Sequence, residues 1–392
     1  EDNISIMNQS IKVIRDHTLS NNIPMSLLFS PPINHDRVDK QQEKVVFQDI
    51  KLIDMPVNRA DLAFYSIPQL ASLLHDGKLT SVQLTKFYLD RLRRYGDTLQ
   101  CVITITDSLA IAQAERADRE MRNGIDRGIL HGIPYGVKDL LSLKEYKTTW
   151  GAMPYKDQVI DEDATVIKNL EAAGAVLVAK LTLGALAMGD VWYGGVTKNP
   201  WDLTQGSSGS SAGSASATVA GLVPFAIGSE TLGSIVSPST RCGATGLRPT
   251  FGRVSKHGAM ALSWSMDKLG PICRSAEDCA IVFDAIRGAD PNDLSSRDLP
   301  FNYNTGSDIS NLRIGILHNE FQMRSSNVTN DSLFLKRLTT VYSKEEKPAE
   351  RLLMELGKTH NTQIEESSLI IQEGERHEYT AAYKKLTKDF YL

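Results

Sequence analysis

QGSSGSSAGSASATVAGLVPFAIGSETLGSIVSPSTRCGATGLRP, residues 205–249, carries small residues and hydroxyls at a density that neither a hydrophobic core nor a linker requires. A core segment would show bulkier apolar side chains, and a Gly/Ser linker would lack the run Leu222, Val223, Phe225, Ala226, Ile227 at its middle. The stretch therefore reads as a site built from backbone and hydroxyls inside a folded domain. SSAGSASATVAG is small on all sides, so it can be helical only where its neighbours approach closely. LVPFAI reads as a buried strand and SETLGS as the tight turn beyond it.

Working outward, AVLVAK at 175–180 is a strand, preceded by a helix bearing Val166, Ile167, Leu170 and Ala173, with Asp163 as its expected cap and Gly174 as its end. In HGIPYGVKD, Lys138 closes a short apolar run, which predicts a strand with a functional residue at its carboxyl edge. Helix returning through glycine into an apolar strand predicts a parallel crossover and an α/β layer structure. Thr80 with Gln83 forms a capping box for a helix carrying Leu84, Tyr88, Leu92 and Tyr95. A second helix is expected over 107–121, and Ser275 with Asp278 starts another that ends before Gly288. LRIGIL at 312–317 predicts a strand, and residues 320–392 are charged and helical in character.

The 392 residues allow one large domain or two ordinary ones. Lys plus Arg total 43 against 47 Asp plus Glu, a formal charge of -4 that gives no electrostatic reason to expect nucleic acid. Cys101, Cys242, Cys273 and Cys279 lack metal-site spacing and are expected to be free and buried. No apolar run reaches membrane-span length. Residues 1–64, broken at Pro31 and Pro32, read as an N-terminal extension. The start, EDNISIMNQ, fits a cleaved export signal or trimmed ends, so the compartment stays open. Asn3, Asn8, Asn327 and Asn330 begin N-x-S/T patterns, which matter only in a glycosylating compartment.

Two features carry chemistry. A serine hydroxyl is a poor nucleophile at neutral pH and needs a base, and lysine can be that base only when desolvation or a nearby cation keeps its amine neutral. Lys138 and the serines of the two loops meet these needs, and glycine-rich turns can expose N–H groups to an oxyanion. Against this stand an ion-paired Lys138 beside Asp139 and serines that merely form turns. No P-loop pattern occurs. GSSAG at 209–213 fits the nucleophile elbow formally, but LTQGSS before it is turn-like where a strand is needed.

GVKD at 136–139, GSSAGS at 209–214, GSETLGSI at 228–235 and CGATGLRPTFGRVS at 242–255, with NPW at Asn199 and SMDKLGPICRSAEDCA at 265–280, closely resemble the amidase signature family over about residues 65–290. The resemblance implies an α/β fold with a mixed, mostly parallel central sheet flanked by helices. It implies one domain over 65–392, short or incomplete distally. It further implies hydrolysis of a carboxamide through an acyl-enzyme, with no cofactor and no metal. By position, Lys138 matches the general base, Ser210 the bridging serine after a cis peptide bond, and Ser234 the nucleophile. The backbone N–H groups of Thr231, Leu232 and Gly233 match the oxyanion hole, and Ser211 supports the bridge.

Five positions depart from the family pattern. Leu232-Gly233 stands for Gly-Gly, Glu230 for Asp, Val236 for Arg, and Thr182 and Ala185 for Asn and Glu in KLTLGALAMG at 180–189. Leu232 is expected to narrow the acyl pocket or alter oxyanion approach. Together they favour an uncharged or apolar acyl group. The expected partner is a small-molecule amide, with no nucleic acid and no membrane span, and a homodimer is compatible. The alternatives are the glutaminase-type subunit of a tRNA-dependent amidotransferase complex and a non-catalytic binding member.

Overall fold

The computed structural model describes residue 12, residues 41–47 and 53–306, and the backbone of four strands between 314 and 370. The chain divides into two compact units, Glu1–Thr305 and Gly306–Leu392. The break at Pro31 and Pro32 and the four N-x-S/T positions lie outside the described residues.

Six strands form the sheet of the first unit: β1 (Val102–Ile105), β2 (Pro134–Lys138), β3 (Val176–Leu181), β4 (Ala226–Glu230), β5 (Thr245–Gly246) and β6 (Lys268–Cys273), in the order β1-β3-β2-β4-β6-β5. β2 runs parallel to both β3 and β4. The outer pairs, β1 with β3, β4 with β6 and β6 with β5, are antiparallel. The sheet is therefore mixed, with parallel pairing confined to its centre.

Parallel neighbours need a crossover, and helices supply it. The helices are α1 (Ile67–His75), α2 (Ser81–Leu99), α3 (Asp107–Arg122), α4 (Thr165–Ala172), α5 (Ala212–Val219), α6 (Val236–Cys242) and α7 (Ala276–Ile286). α4 joins β2 to β3, and α5 lies between β3 and β4 in the chain. Thr80 and Gln83 form the expected capping box of α2, and the Ser275 hydroxyl accepts the Asp278 N–H at the start of α7.

Side chains alternate across a strand, so a sheet covered on both faces needs apolar residues at successive positions. Tyr135, Val137 and Leu177 pack with Ile67, Leu70 and Phe225 on one face. Val176 and Val178 pack with Leu89, Leu92 and Ala114 on the other. Each large apolar side chain fully removed from water contributes about 1.5–3 kcal/mol. All four cysteines are free and buried, and burial pushes the Cys101 and Cys242 thiols up to about 12.

Three local expectations are corrected. Asp163 does not cap α4; its carboxylate accepts the Lys144 N–H at 2.7 Å, and Ala164 occupies the cap. LVPFAI is buried, but β4 begins only at Ala226, because Pro224 has no N–H for a central ladder; Ser229 and Glu230 then belong to β4. Residues 320–392 contain strands, not helices, in their described part: β8 (Phe334–Tyr342), β9 (Arg351–Gly357) and β10 (Glu365–Ile370), which join β7 (Ile314–Ile316), the strand expected at LRIGIL, in the order β7-β9-β8-β10. β8 is parallel to β10 and β9 is antiparallel to its neighbours. Cross-strand pairing there overrides a charged, helix-like composition.

α5 explains the small residues. Every one of its residues is buried, and its serines satisfy nearby backbone: Ser214 Oγ donates to the Ile227 carbonyl at 3.1 Å and Ser216 Oγ to the Lys198 carbonyl at 2.8 Å. At Gly213 a Cβ would lie 2.4 Å from the Cys101 carbonyl oxygen and 2.5 Å from the Thr182 amide nitrogen, so only glycine lets the helix sit this close. Gly213→Ala is expected to cost about 1–3 kcal/mol as overpacking. The measurement is urea denaturation, with a lower midpoint at unchanged slope. An unchanged midpoint would mean that α5 can retreat freely from the sheet.

Candidate active site

β2 delivers Lys138 to the carboxyl edge of the sheet, fully buried. Its Nζ lies 2.8 Å from Ser210 Oγ, 2.9 Å from Ser229 Oγ, 3.1 Å from Ser211 Oγ and 3.4 Å from the Ser229 carbonyl. Every contact of this amine is a hydroxyl or a carbonyl. Burial pushes it well below the usual lysine range, against the pull of the Asp267 and Glu230 carboxylates.

The ion-paired alternative for Lys138 is resolved by its neighbour. Asp139 pairs with Lys180, Oδ1 to Nζ at 2.8 Å, both side chains fully buried. Its Oδ2 accepts the Thr149 N–H at 2.8 Å and the Thr149 hydroxyl at 2.6 Å.

The first two serines of GSSAGS, Ser210 and Ser211, reach Lys138 from the turn that precedes α5. The Gly209–Ser210 peptide bond is cis. Ser211 Oγ donates to the Ser229 carbonyl at 3.0 Å and accepts the Ser229 N–H at 3.1 Å, tying this turn to β4. The Ser211 N–H in turn donates to the Ser234 carbonyl at 3.0 Å. Thus Lys138, Ser210, Ser211 and Ser229 meet through their side chains, and half-buried Ser234 is brought alongside by its backbone.

Residues 231–236 form a tight turn held by charged groups beneath it. Glu230, buried at the end of β4, accepts the N–H groups of Ile235 at 2.8 Å and Val236 at 2.9 Å on Oε2, with Arg248 3.3 Å from Oε1. Burial alone would raise this carboxyl, but the N–H groups of Val236, Ile235 and Gly233, with Arg248, hold it below the usual carboxylate range. The Thr231 hydroxyl donates to Asp267 at 2.6 Å, and Lys268 Nζ donates to the Thr231 carbonyl at 3.2 Å. Gly233 takes φ 86°, a left-handed conformation that a side chain would strain. The Leu232 side chain is 77% exposed, so it points outward and does not narrow the serine cluster; Val236 is 46% exposed.

Reasoning from sequence missed Ser229, Asp267, Arg248 and Lys180. A signal existed for Ser229: with β2 and β4 in parallel register, Val137 opposite Ile227, Ser229 falls one residue beyond Lys138 along the same edge. Among the described residues, no group of three or more His, Cys, Asp or Glu is placed to hold a metal ion, and no helix is long and apolar enough to cross a membrane.

A buried amine enclosed by serine hydroxyls, beside a glycine turn at the carboxyl edge of a mixed α/β sheet, is the setting that base-assisted serine chemistry requires. Residues 83–344 match the family described as Amidase, and the chain belongs to it, the amidase signature family, whose members are catalytic serine amidases. Among relatives, the A subunit of glutamyl-tRNA(Gln) amidotransferase from Coxiella burnetii is 42% identical over 234 residues, which is 59% of this chain and 48% of that one. Its counterpart from Methylococcus capsulatus is 40% identical over 257 residues, 64% and 53%. Peptide amidase from Stenotrophomonas maltophilia superposes with a TM-score of 0.57 at 36% identity, covering 62% of this chain and 51% of that one. An amidase family protein from Bacillus anthracis gives 0.57 at 30%, covering 66% and 56%. The chain spans about half the length of the curated relatives it matches.

Removing the Glu230 carboxylate strands two N–H groups, so Glu230→Ala is expected to cost about 1–3 kcal/mol at pH 7. Because the folded carboxyl titrates below its unfolded value of about 4.3, this stabilisation is complete above that pH and is lost as pH falls through the lower folded value. Urea denaturation at pH 7 and pH 3 checks it: parent and variant should differ at the first and converge toward the second.

Proposed function

We propose that this chain hydrolyses a carboxamide C–N bond through an acyl-enzyme on Ser234, with Ser210 as the bridge and Lys138 as the general base. The observation that supports it is the buried Lys138 amine, 2.8 Å from Ser210 Oγ and without a carboxylate in contact. An amine held neutral by burial can take a proton at physiological pH, which an ordinary lysine cannot.

In the first half-reaction Ser234 Oγ attacks the amide carbonyl carbon. Its proton moves to Ser210 as the Ser210 proton moves to Lys138. The negative oxygen of the tetrahedral adduct faces the N–H groups of Thr231, Leu232 and Gly233, the last shared with Glu230, where developing charge is favoured over the neutral carbonyl. Cleavage of the C–N bond returns the proton through Ser210 to the departing nitrogen and releases ammonia or an amine. Water then attacks the ester, the same groups relay its proton, and the carboxylic acid leaves with Ser234 restored.

The acyl group is uncharged or apolar. A pocket reaching Ser229 is lined by Leu140, Met260, Leu262, Trp264 and Leu269, and its charged members are already engaged. Asp267 accepts the Thr231 hydroxyl on one oxygen and the N–H groups of Leu262 and Ser263 on the other. Lys256 is paired with Asp293 at 3.0 Å. A charged acyl group would find no free counter-charge among these residues. The second reading, a glutaminase-type role within an amidotransferase complex, rests on the 42% identity to the Coxiella burnetii protein; it predicts glutamine as the ammonia donor.

A panel of aliphatic and aryl amides plus glutamine, assayed for released ammonia or amine, separates the two readings. The amidase reading expects turnover of apolar amides by the chain alone, and covalent labelling by a fluorophosphonate at Ser234 that disappears in Ser234→Ala. A chain that is neither labelled nor active on any panel member sinks it. Lys138→Ala should lose more activity at pH 7 than at pH 10, where hydroxide competes as base; an equal loss at both pH values counts against the base role.

A further inference from the structure

The acyl pocket and the turn that follows β4 meet at one carboxylate. β4 and β6 pair antiparallel with Lys268 opposite Glu230, so the next residues outward, Asp267 and Thr231, face one another at the end of the ladder. Asp267 is buried; its Oδ1 accepts the Thr231 hydroxyl at 2.6 Å, and its Oδ2 accepts the N–H groups of Leu262 at 2.7 Å and Ser263 at 2.9 Å. The Met266 and Asp267 N–H groups both return to the Ser263 carbonyl, at 3.1 Å and 3.0 Å, which closes residues 263–267 into a turn. Leu262 and Trp264, at this turn, line the pocket that reaches Ser229, and Trp264 is 83% exposed. Lys268 adds a bridge between the Thr231 and Met266 carbonyls.

We propose that Asp267 is a positioning residue for the acyl transfer: it fixes the pocket wall at 262–264 in register with the N–H groups of 231–233, so that an acyl group lying on the wall presents its carbonyl oxygen to the turn. The inference rests on Ser234 forming the acyl-enzyme and on those N–H groups holding the oxyanion. Two demands of the reaction fall on different parts of the chain. The wall locates the acyl group and the turn receives the charge, and a displacement of about 1 Å between them can cost about a hundredfold in rate. Hydrogen bonds to a carboxylate are short and about twice as strong as neutral ones, and this carboxylate makes three of them across the junction of the two segments. A cap serving the 263–267 turn alone would need the Leu262 and Ser263 N–H groups and nothing from Thr231. One oxygen of Asp267 is committed to Thr231, and that contact carries the register.

The test compares two fluorophosphonates on the full chain, one with a methyl and one with an n-butyl group on phosphorus, by their rates of labelling at Ser234. The phosphoryl oxygen takes the oxyanion position in both, and of the two substituents butyl is long enough to lie on the wall. The ratio of the two rates cancels the fraction of folded protein and the state of Lys138, which both probes share. In the parent the butyl probe should label roughly tenfold faster or more, from the added apolar contact. Thr231→Val, which removes the hydroxyl and keeps the branched shape, should bring the ratio down toward unity, and Asp267→Ala should do the same. Asp267→Asn should recover the ratio, because its oxygen can accept the two N–H groups while its amide donates to the Thr231 hydroxyl. The double variant Asp267→Ala/Thr231→Val should fall no further than the lower single variant, since both remove one link. A parent that labels no faster with butyl, a ratio that Thr231→Val leaves unmoved, or a double variant whose losses add overturns the proposal. Thr231→Val decides the matter by itself should the alanine variant not fold. Failure of the underlying reading is seen apart from these: a parent labelled at Ser234 by neither probe removes the acyl-enzyme, and the inference with it.

Discussion

An amine buried among hydroxyls, with no carboxylate in contact, is the constraint on which the rest of this unit depends. Water would hold Lys138 charged, so the cage around it has to be closed, and closure brings the turn before α5 and the end of β4 within about 3 Å of one nitrogen. Bulky side chains would prevent this. The small residues of 205–217 and the buried helix α5 follow from that demand. So does the treatment of the acids nearby: Glu230 and Asp267 are occupied by the N–H groups and hydroxyl of the turn they support, and Asp139 by Lys180. Each carboxylate has a structural occupation, and none is in contact with the amine.

Legibility in the sequence followed the range of the interactions. Local chemistry was readable: Thr80 and Gln83 mark the start of α2, and the apolar run before Lys138 marks a strand ending on a polar residue. The placement of Ser210 and Ser211 beside Lys138 was legible only through the family's motifs, because the contact spans 72 residues of chain. Asp163 looked like a cap because it precedes an apolar-periodic segment, yet the Lys144 amide, a partner from another loop, claims it. Ser229 and Lys180 became visible only once strand order and register were known, since neither has a local feature that distinguishes it from a turn serine or a surface lysine. The strands beyond residue 320 escaped for the same reason: β9, RLLMELG, has helical composition and is extended because it pairs on both sides.

Val236 and Leu232 present apolar side chains at the exposed lip of the turn. The backbone beneath is secured by Glu230, Asp267 and Lys268 whatever those side chains are. Recognition and turn geometry are thus carried by different atoms, which lets the lip diverge without loosening the turn.

The hydroxyl cage has a further property. Ser210 and Ser229 can each donate or accept through the same oxygen, while the Ser211 hydroxyl is fixed between the Ser229 N–H and carbonyl. The sense of the hydrogen-bond chain around Lys138 can therefore be inverted by rotating hydroxyl hydrogens, while every heavy atom stays where packing has set it. A cage of carboxylates or amides would have a fixed polarity and would need side-chain rotation to invert it. Rigid walls and freely turning rotors coexist at this point in the fold, so tight packing around the lysine does not freeze the direction in which a proton can pass.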